Sequence, residues 1–369
     1  MKEIRCRNTL RSLMAPRVEL PSGDAIVKVA FICNATISGI PWSRFTMPSI
    51  RGLEVLDKVP SFSFFIEHPS GRRVLFDLGV RRDWWNLSPV LARRMKVGGW
   101  KTDVSTDVSE ILEEHHVPLQ SIDTVIWSHW HWDHIGDMSK FPAGTNLLTG
   151  PGFVEAFIPG YPANENSPIQ ESDYSGRTLI EIEEFERQIG DIPAHDFFGD
   201  GSFYLLWTPG HAIGHLSALA RTSTARNGED DTFILMGGDC CHHMGQMRPC
   251  TRWQLPYDIK LHVSSKSPAS SQPGVGWNMT SYSRGSDVAL LEISDYANGE
   301  SAAINPEEAV NSLRKLMSFD DERVLVAIAH DKTLHGVVDL FPKPANNWKV
   351  EGWADRARWA FLNDFGEKE

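Results

Sequence analysis

The stretch Thr124-Val-Ile-Trp-Ser-His-Trp-His-Trp-Asp-His-Ile-Gly-Asp137 decides how this chain is read. Three imidazoles, His129, His131 and His134, and the carboxylate of Asp133 fall within six residues. The lead-in Val125-Ile126-Trp127 is apolar and β-branched, so it reads as a strand. The donors then stand where that strand ends and a loop turns over the edge of a sheet. Alternation puts His129 and His131 on one side, and the bend after His131 lets Asp133 and His134 point at a second position close by. Nitrogen and oxygen donors with no cysteine nearby favour a borderline cation such as Zn²⁺ over a soft-metal or iron–sulfur site. A surface histidine cluster without ligand duty is the plain alternative. It suits a lone His-x-His, but a strand end crowding three histidines and an aspartate together would leave unpaired polar groups partly buried at real cost.

Outward from this motif, further strand ends carry the same chemistry. Ala25 to Ile37 alternates and reads as a first strand, followed by a Pro- and Gly-rich loop over 38–58 whose Trp42, Phe45 and Met47 can lean over a pocket. Ser61 to Glu67 and Arg73 to Phe76 read as two strands, the second ending in Phe76-Asp77-Leu78-Gly79. Arg81 to Gly99 reads as a helix whose Arg93, Arg94 and Lys96 form a solvated basic face. Lys101 to His116 carries an apolar helical stripe and stops before Pro118. Residues 141–176 form an irregular excursion. Tyr204 to Trp207 runs into Thr208-Pro209-Gly210-His211, Leu216 to Ala220 is another strand, and Phe233 to Met236 ends in Gly237-Gly238-Asp239. Pro306 to Met317 is a helix capped by Asn305, Val324 to Ala329 a buried strand ending in His330-Asp331, and Trp348 to Phe365 a terminal helix.

Length and charge bound the rest. At 369 residues the chain can bury a large core and is expected to be one domain over 1–369, with a core over about 25–335, an irregular insertion or lid over about 240–303 and a C-terminal helix over about 345–365. With 36 basic against 48 acidic residues, a formal charge of -12, it lacks the basic excess a nucleic-acid partner would want. Cys6, Cys33, Cys240, Cys241 and Cys250 show no disulfide or zinc spacing, which points to a reducing, cytoplasmic compartment. No apolar run approaches the ~20 residues needed to span a bilayer, and the basic start (Lys2, Arg5, Arg7, Arg11, Arg17) has no secretion-signal core.

Collected from their strand ends, His129, His131, Asp133, His134, His211, Asp239 and His330 number seven N/O donors, about what a dinuclear centre needs. One metal would take His129, His131 and His211, the other Asp133, His134 and His330, with Asp239 bridging them. Two Zn²⁺ are expected, with Mn²⁺ or Fe²⁺ as alternatives. Such a pair, ~3.5–4 Å apart, polarises a carbonyl and lowers the pKa of bound water to near ~7. Asp133 is then a candidate to shuttle a proton to the leaving group.

In this set and order the sequence resembles the metallo-β-lactamase superfamily: His-Trp-His-Trp-Asp-His at 129–134, Thr-Pro-Gly-His at 208–211, Gly-Gly-Asp at 237–239, His330 after an apolar strand, and Phe-Asp-Leu-Gly at 76–79. The resemblance implies an α/β fold, a four-layer αββα sandwich with irregular insertions over a di-zinc site at one edge of the two sheets. It implies that Asp77 orients a ligand and that His215 supports the site without ligating. The intact set looks like the lactonase and glyoxalase-II-like branches. His242 stands where bacterial acyl-homoserine-lactone lactonases place a tyrosine, so it is the second candidate catalytic residue beside Asp133, against a plain loop histidine. The long segment after Asp239 is similar to that of fungal lactone hydrolases and benzoxazolinone γ-lactamases.

The primary expectation is therefore a detoxifying hydrolase that opens a small cyclic amide, carbamate or ester by attack of a metal-bound hydroxide. Its partner is a small molecule with a cyclic carbonyl, aromatic if Trp130, Trp132, Trp253 or Trp277 edges the pocket. Thioester hydrolysis of glyoxalase-II or acyl-carrier type is the alternative, and a catalytically inactive metal-binding scaffold is a second one. No nucleic acid or membrane is expected, and the oligomeric state stays open, a dimer included.

Overall fold

The computed structural model describes residues 17–50, 52–225, 230–255, 287–295 and 300–365. The first half of the chain supplies β1 (Lys28–Ser38), β2 (Thr46–Met47), β3 (Val59–Glu67), β4 (Arg73–Phe76), β5 (Lys101–Val104), β6 (Thr124–Ile126), β7 (Asn146–Thr149) and β8 (Leu179–Glu181). All but β2 join one sheet in the order β5-β1-β3-β4-β6-β7-β8. The second half supplies β9 (Arg187–Ile189), β10 (Ile192–Asp196), β11 (Phe203–Trp207), β12 (Leu216–Ser223), β13 (Thr232–Met236), β14 (Glu292–Ile293) and β15 (Val324–Ala327). These form a sheet ordered β15-β13-β12-β11-β10-β9, while β14 pairs with β2. The helices are α1 (Pro89–Gly98), α2 (Val108–Glu114), α3 (Phe153–Phe157), α4 (Glu171–Tyr174), α5 (Pro306–Leu316) and α6 (Trp353–Ala357).

The period-two pattern of the strands makes the layers. In β13, Ile234 and Met236 join a core with Phe31, Phe64, Phe76 and Leu205 between the two sheets, while Phe233 and Leu235 belong to the core under the helices. In β15, Leu325 and Ala327 go inward and Val324 and Val326 outward. Leu91 and Met95 of α1 and Leu112 of α2 serve the same outer core as Phe65, Leu75 and Val125 of the first sheet. On the other side, Leu313 and Leu316 of α5 do so beside Leu219 and Leu235. The expected four-layer α/β sandwich is what these faces build.

Local chemistry explains where elements depart from expectation. The segment Lys101 to His116 is not one helix: Lys101–Val104 pairs antiparallel with Ala35–Ser38 at the sheet edge, and α2 starts only at the Asp107–Glu110 capping box. The helix expected from Arg81 begins at Pro89, the residue suited to a first helical turn. The terminal helix expected over about 345–365 is short α6, entered through left-handed Gly352 (φ 65°), followed by a 3-10 turn at Ala360–Phe365. Residues 240–255 of the expected insertion pack into the molecule. Arg248 donates to both oxygens of Asp320 (2.7 and 2.8 Å) and to the Arg358 carbonyl (3.0 Å), locking the chain after Asp239 against the C-terminal region. Residues 256–286 and 296–299 of the expected insertion or lid, Trp277 among them, lie outside the described residues. Among the described residues no helix is long and apolar enough to cross a membrane.

Candidate metal centre and active site

The C-terminal ends of β6, β11, β13 and β15 meet at one rim of the sandwich, and each delivers donors within a few residues of its end. β6 lies parallel to β4, so Ser128 arrives beside Asp77. Asp77 accepts from the Ser128 amide (2.6 Å) and hydroxyl (2.8 Å), and its Oδ2 lies 2.7 Å from His134 Nδ1. Leu216 at the start of β12 donates to the Ser128 carbonyl (2.8 Å), which ties the motif loop to the second sheet. Two glycines are dictated by close approach. At Gly210 (φ 120°) a Cβ would fall 2.1 Å from the amide nitrogen of Ala309 in α5, and at Gly238 (φ 54°) 3.0 Å from His215 Nε2.

All seven donors named from the sequence come together. His131 Nδ1 lies 2.9 Å from His129 Nε2 and 3.0 Å from His211 Nε2. A tetrahedral cation with ~2.1 Å bonds to nitrogen sets its ligands about 3.4 Å apart, close to this spacing. Asp133, His134 and His330 form a second group, with His330 Nε2 3.4 Å from Asp133 Oδ2. Asp239 stands between them. Its Oδ1 lies 3.1 Å from His134 Nε2 and 3.2 Å from His330 Nε2, and its Oδ2 lies 3.3 Å from His211 Nε2 and 3.8 Å from His129 Nε2.

The rear nitrogens are already committed. His134 Nδ1 faces Asp77, His330 Nδ1 donates to the Pro60 carbonyl at 2.8 Å, and His129 Nδ1 meets the Ser128 hydroxyl at 3.0 Å. That arrangement fixes Nε2 as the forward-facing atom. His215 supports without ligating, as the resemblance implied: Nδ1 donates to the Thr208 carbonyl (2.8 Å) and Nε2 accepts from the Asp239 amide (3.1 Å).

The residues fit a divalent cation on two physical counts. Among the described residues, buried His134 Nε2 and Asp239 Oδ1 make no hydrogen bond despite their proximity, so each is a polar atom suited to a cation. Burial and the neighbouring imidazoles also hold His129 and His131 well below the usual histidine pKa, neutral as ligands must be. Burial opposes charge on His134 and His330 as well, but Asp239, with Asp77 for the first and Asp133 for the second, outweighs it. His134 rises well above the ordinary value and His330 to about 10. Asp239, despite burial, is held well below the usual carboxylate range by His330, His134 and His242. The protein's own charges thus partly stand in for cations.

The metallo-β-lactamase superfamily model matches residues 56–220. A γ-lactamase of Fusarium pseudograminearum, FDB1, is 38% identical over 95% of this chain and 86% of its own length. The chain belongs to the metallo-β-lactamase superfamily. A second γ-lactamase, MBL2 of Gibberella moniliformis, is 47% identical over 50% of this chain and 76% of its own. Among solved structures, a mutant of B. thuringiensis AiiA with N-decanoyl-L-homoserine at its active site superposes with a TM-score of 0.56 at 15% identity, covering 88% of this chain and 100% of that one, a likeness of fold.

In this superfamily hydrolase the donor groups form the floor of a cavity of about 560 Å³. Its wall departs from the sequence reading. Trp132 lines it, stacked on Trp100 at 5.8 Å. Trp130 instead packs on Phe157, and Trp253 lies under Arg358 (3.6 Å) with its indole N–H on the Asp320 carbonyl, so neither edges the pocket. Trp84 and Trp85 pack on each other and do not line it. Arg94, read as part of a solvated face, and Trp100, not singled out at all, both line the cavity. The one available signal was their place around the helix-ending Gly98-Gly99, which swings Trp100 inward.

Above the floor, the loop 39–56 closes on itself. Gly39 and Trp42 donate to the carbonyls of Leu56 and Glu54, and Leu56 to that of Ile40. Its tip is strapped by the two-residue pairing of β2 with β14. From it Phe45 stacks on His242 at 4.3 Å. His242 is buried, its Nε2 3.0 Å from Asp239 Oδ2, and burial lowers its pKa to about 4. Gln246 holds this corner together, accepting the amides of His242 and His243 and donating to the Phe45 carbonyl. His243, given no place from sequence, is buried too, 3.3 Å from Asp364 Oδ2.

Proposed function

We propose that this hydrolase opens the ring of a small cyclic amide, carbamate or ester, of the benzoxazolinone γ-lactam or lactone kind, at two zinc ions. The observation that carries this is the division of Asp239, one oxygen toward each donor group, directly beneath a solvent-open cavity of about 560 Å³. Support comes from the γ-lactamase names borne by two fungal relatives. One ion would be held by His129, His131 and His211, the other by Asp133, His134 and His330, with Asp239 shared. The pair would acidify water at neutral pH and polarise the scissile carbonyl.

The rest falls to the chain's own groups. Asp133, weakly engaged through Oδ2, takes the proton released on attack and passes it to the departing nitrogen or oxygen. His242, neutral through burial and stacked on Phe45, has its one N–H on Nε2 facing Asp239 Oδ2; with Asp239 engaged by the metals, that N–H would be released toward the oxygen that gains charge. Phe45, Trp100 and Trp132 exclude water and sandwich a flat ring.

The test is hydrolysis by the zinc-loaded protein of 2-benzoxazolinone, a γ-butyrolactone and S-D-lactoylglutathione, with bound metal counted in parallel. Ring opening with two metals per chain supports the proposal. Preference for the thioester would replace it, and two metals with no turnover of any of the three would favour the scaffold.

A further inference from the structure

The cavity wall carries a pair of positive charges that ring opening does not require. Arg44, in the 3-10 turn Trp42–Arg44, and Arg94, on α1, both line the cavity, with guanidinium carbons 5.8 and 5.7 Å from the centre of the one Trp100 ring. Arg44 is ion-paired to the exposed carboxylate of Glu300. For Arg94, no hydrogen bond or ion pair is formed among the described residues. Burial and the facing charge of Arg44 both weigh against the charged form of Arg94, with Glu300 only partly offsetting them, and its field extends to His131 on the floor. Two like charges converge on one apolar wall, one of them uncompensated, in a chain of formal charge -12. The exposed Arg94 guanidinium is solvated by water, and an entering anion would complete it as Glu300 completes Arg44.

We propose that Arg94, with Arg44 beside it, is the specificity-determining cation for a substrate carrying a carboxylate or comparable anionic group remote from the ring that is opened. The guanidinium takes the anion through paired N–H donors while Trp100 supports the aromatic body, so the scissile carbonyl is directed at the floor. This rests on the cavity being the substrate site, but its test does not need turnover.

The zinc-loaded protein is titrated calorimetrically with benzoate and with isophthalate, which adds a second carboxylate across the ring. Isophthalate should bind at least about tenfold more tightly, and Arg94→Gln should remove most of that advantage, since Arg94 is exposed and can be replaced without loss of fold. Equal affinity for the two acids, or an Arg94→Gln effect that is absent or shared equally by both, overturns the proposal. A companion assay compares 2-benzoxazolinone with its 6-carboxylic acid. A higher kcat/KM for the acid that Arg94→Gln abolishes agrees with the proposal, and a higher kcat/KM for the neutral ring overturns it. If neither ring opens, the ring-opening function fails while the calorimetric arm still decides the role of Arg94.

Discussion

Beneath the cavity, the ligating side chains follow buried strands, and the rear nitrogens of His129, His134 and His330 are held by Ser128, Asp77 and the Pro60 carbonyl. Above the cavity, the backbone of Arg44 and Phe45 is tied by the amides of Ala302 and Ser294 and by Gln246, but both side chains are only half-buried, and the Arg44 ion pair has a partner largely in solvent. A floor fixed by backbone and buried hydrogen bonds suits chemistry that tolerates little displacement. A roof whose side chains are half in solvent suits selection among ligands. Changes in the floor should therefore strike turnover and metal, and changes in the roof should strike KM.

Asp239→Ala tests the comparison hardest. It should lower bound metal, measured by elemental analysis, and reduce hydrolysis to background; full activity would remove the bridge from the floor. Next comes His242→Ala, where turnover should fall roughly a hundredfold with metal content unchanged. An unchanged rate would make His242 only a surface for Phe45. Asp77→Ala should cost roughly 10- to 100-fold in metal affinity or activity through the misoriented His134, and titration with a competing chelator would show it. The smallest effect belongs to the roof: Phe45→Ala should raise KM about two- to tenfold and leave metal binding intact. A larger drop in kcat than rise in KM would dissolve the distinction between the two regions.

The floor was the legible half. Its donors follow apolar strands, and the strand pattern with the His and Asp residues is written in contiguous sequence, so topology had only to bring the ends together. Asp77 was visible as an aspartate before glycine at a strand end, and its left-handed φ of 64° is what lets one carboxylate serve both Ser128 and His134. Of the roof only Phe45 was legible, placed over a pocket by its Pro- and Gly-rich loop; the rest was not, because its contacts depend on where that loop and a helix C-terminus come to rest. Arg94 has the spacing of a solvated helical face, and only the turn at Gly99 (φ 64°) and the position of Trp100 place it over the site. His243 looked idle because its partner, Asp364, lies far along the chain. Lys101–Val104 misled for a similar reason: its stripe suits a helix, but the open edge of β1 captured it.

The closure of loop 39–56 has a consequence for how new catalysts arise from this scaffold. Because Gly39 and Leu56 are bonded to each other, the segment between them begins and ends at nearly the same point. Such a piece can be exchanged wholesale between homologues like a cassette, importing a different preference in one recombination event while the hydrolytic apparatus is inherited untouched.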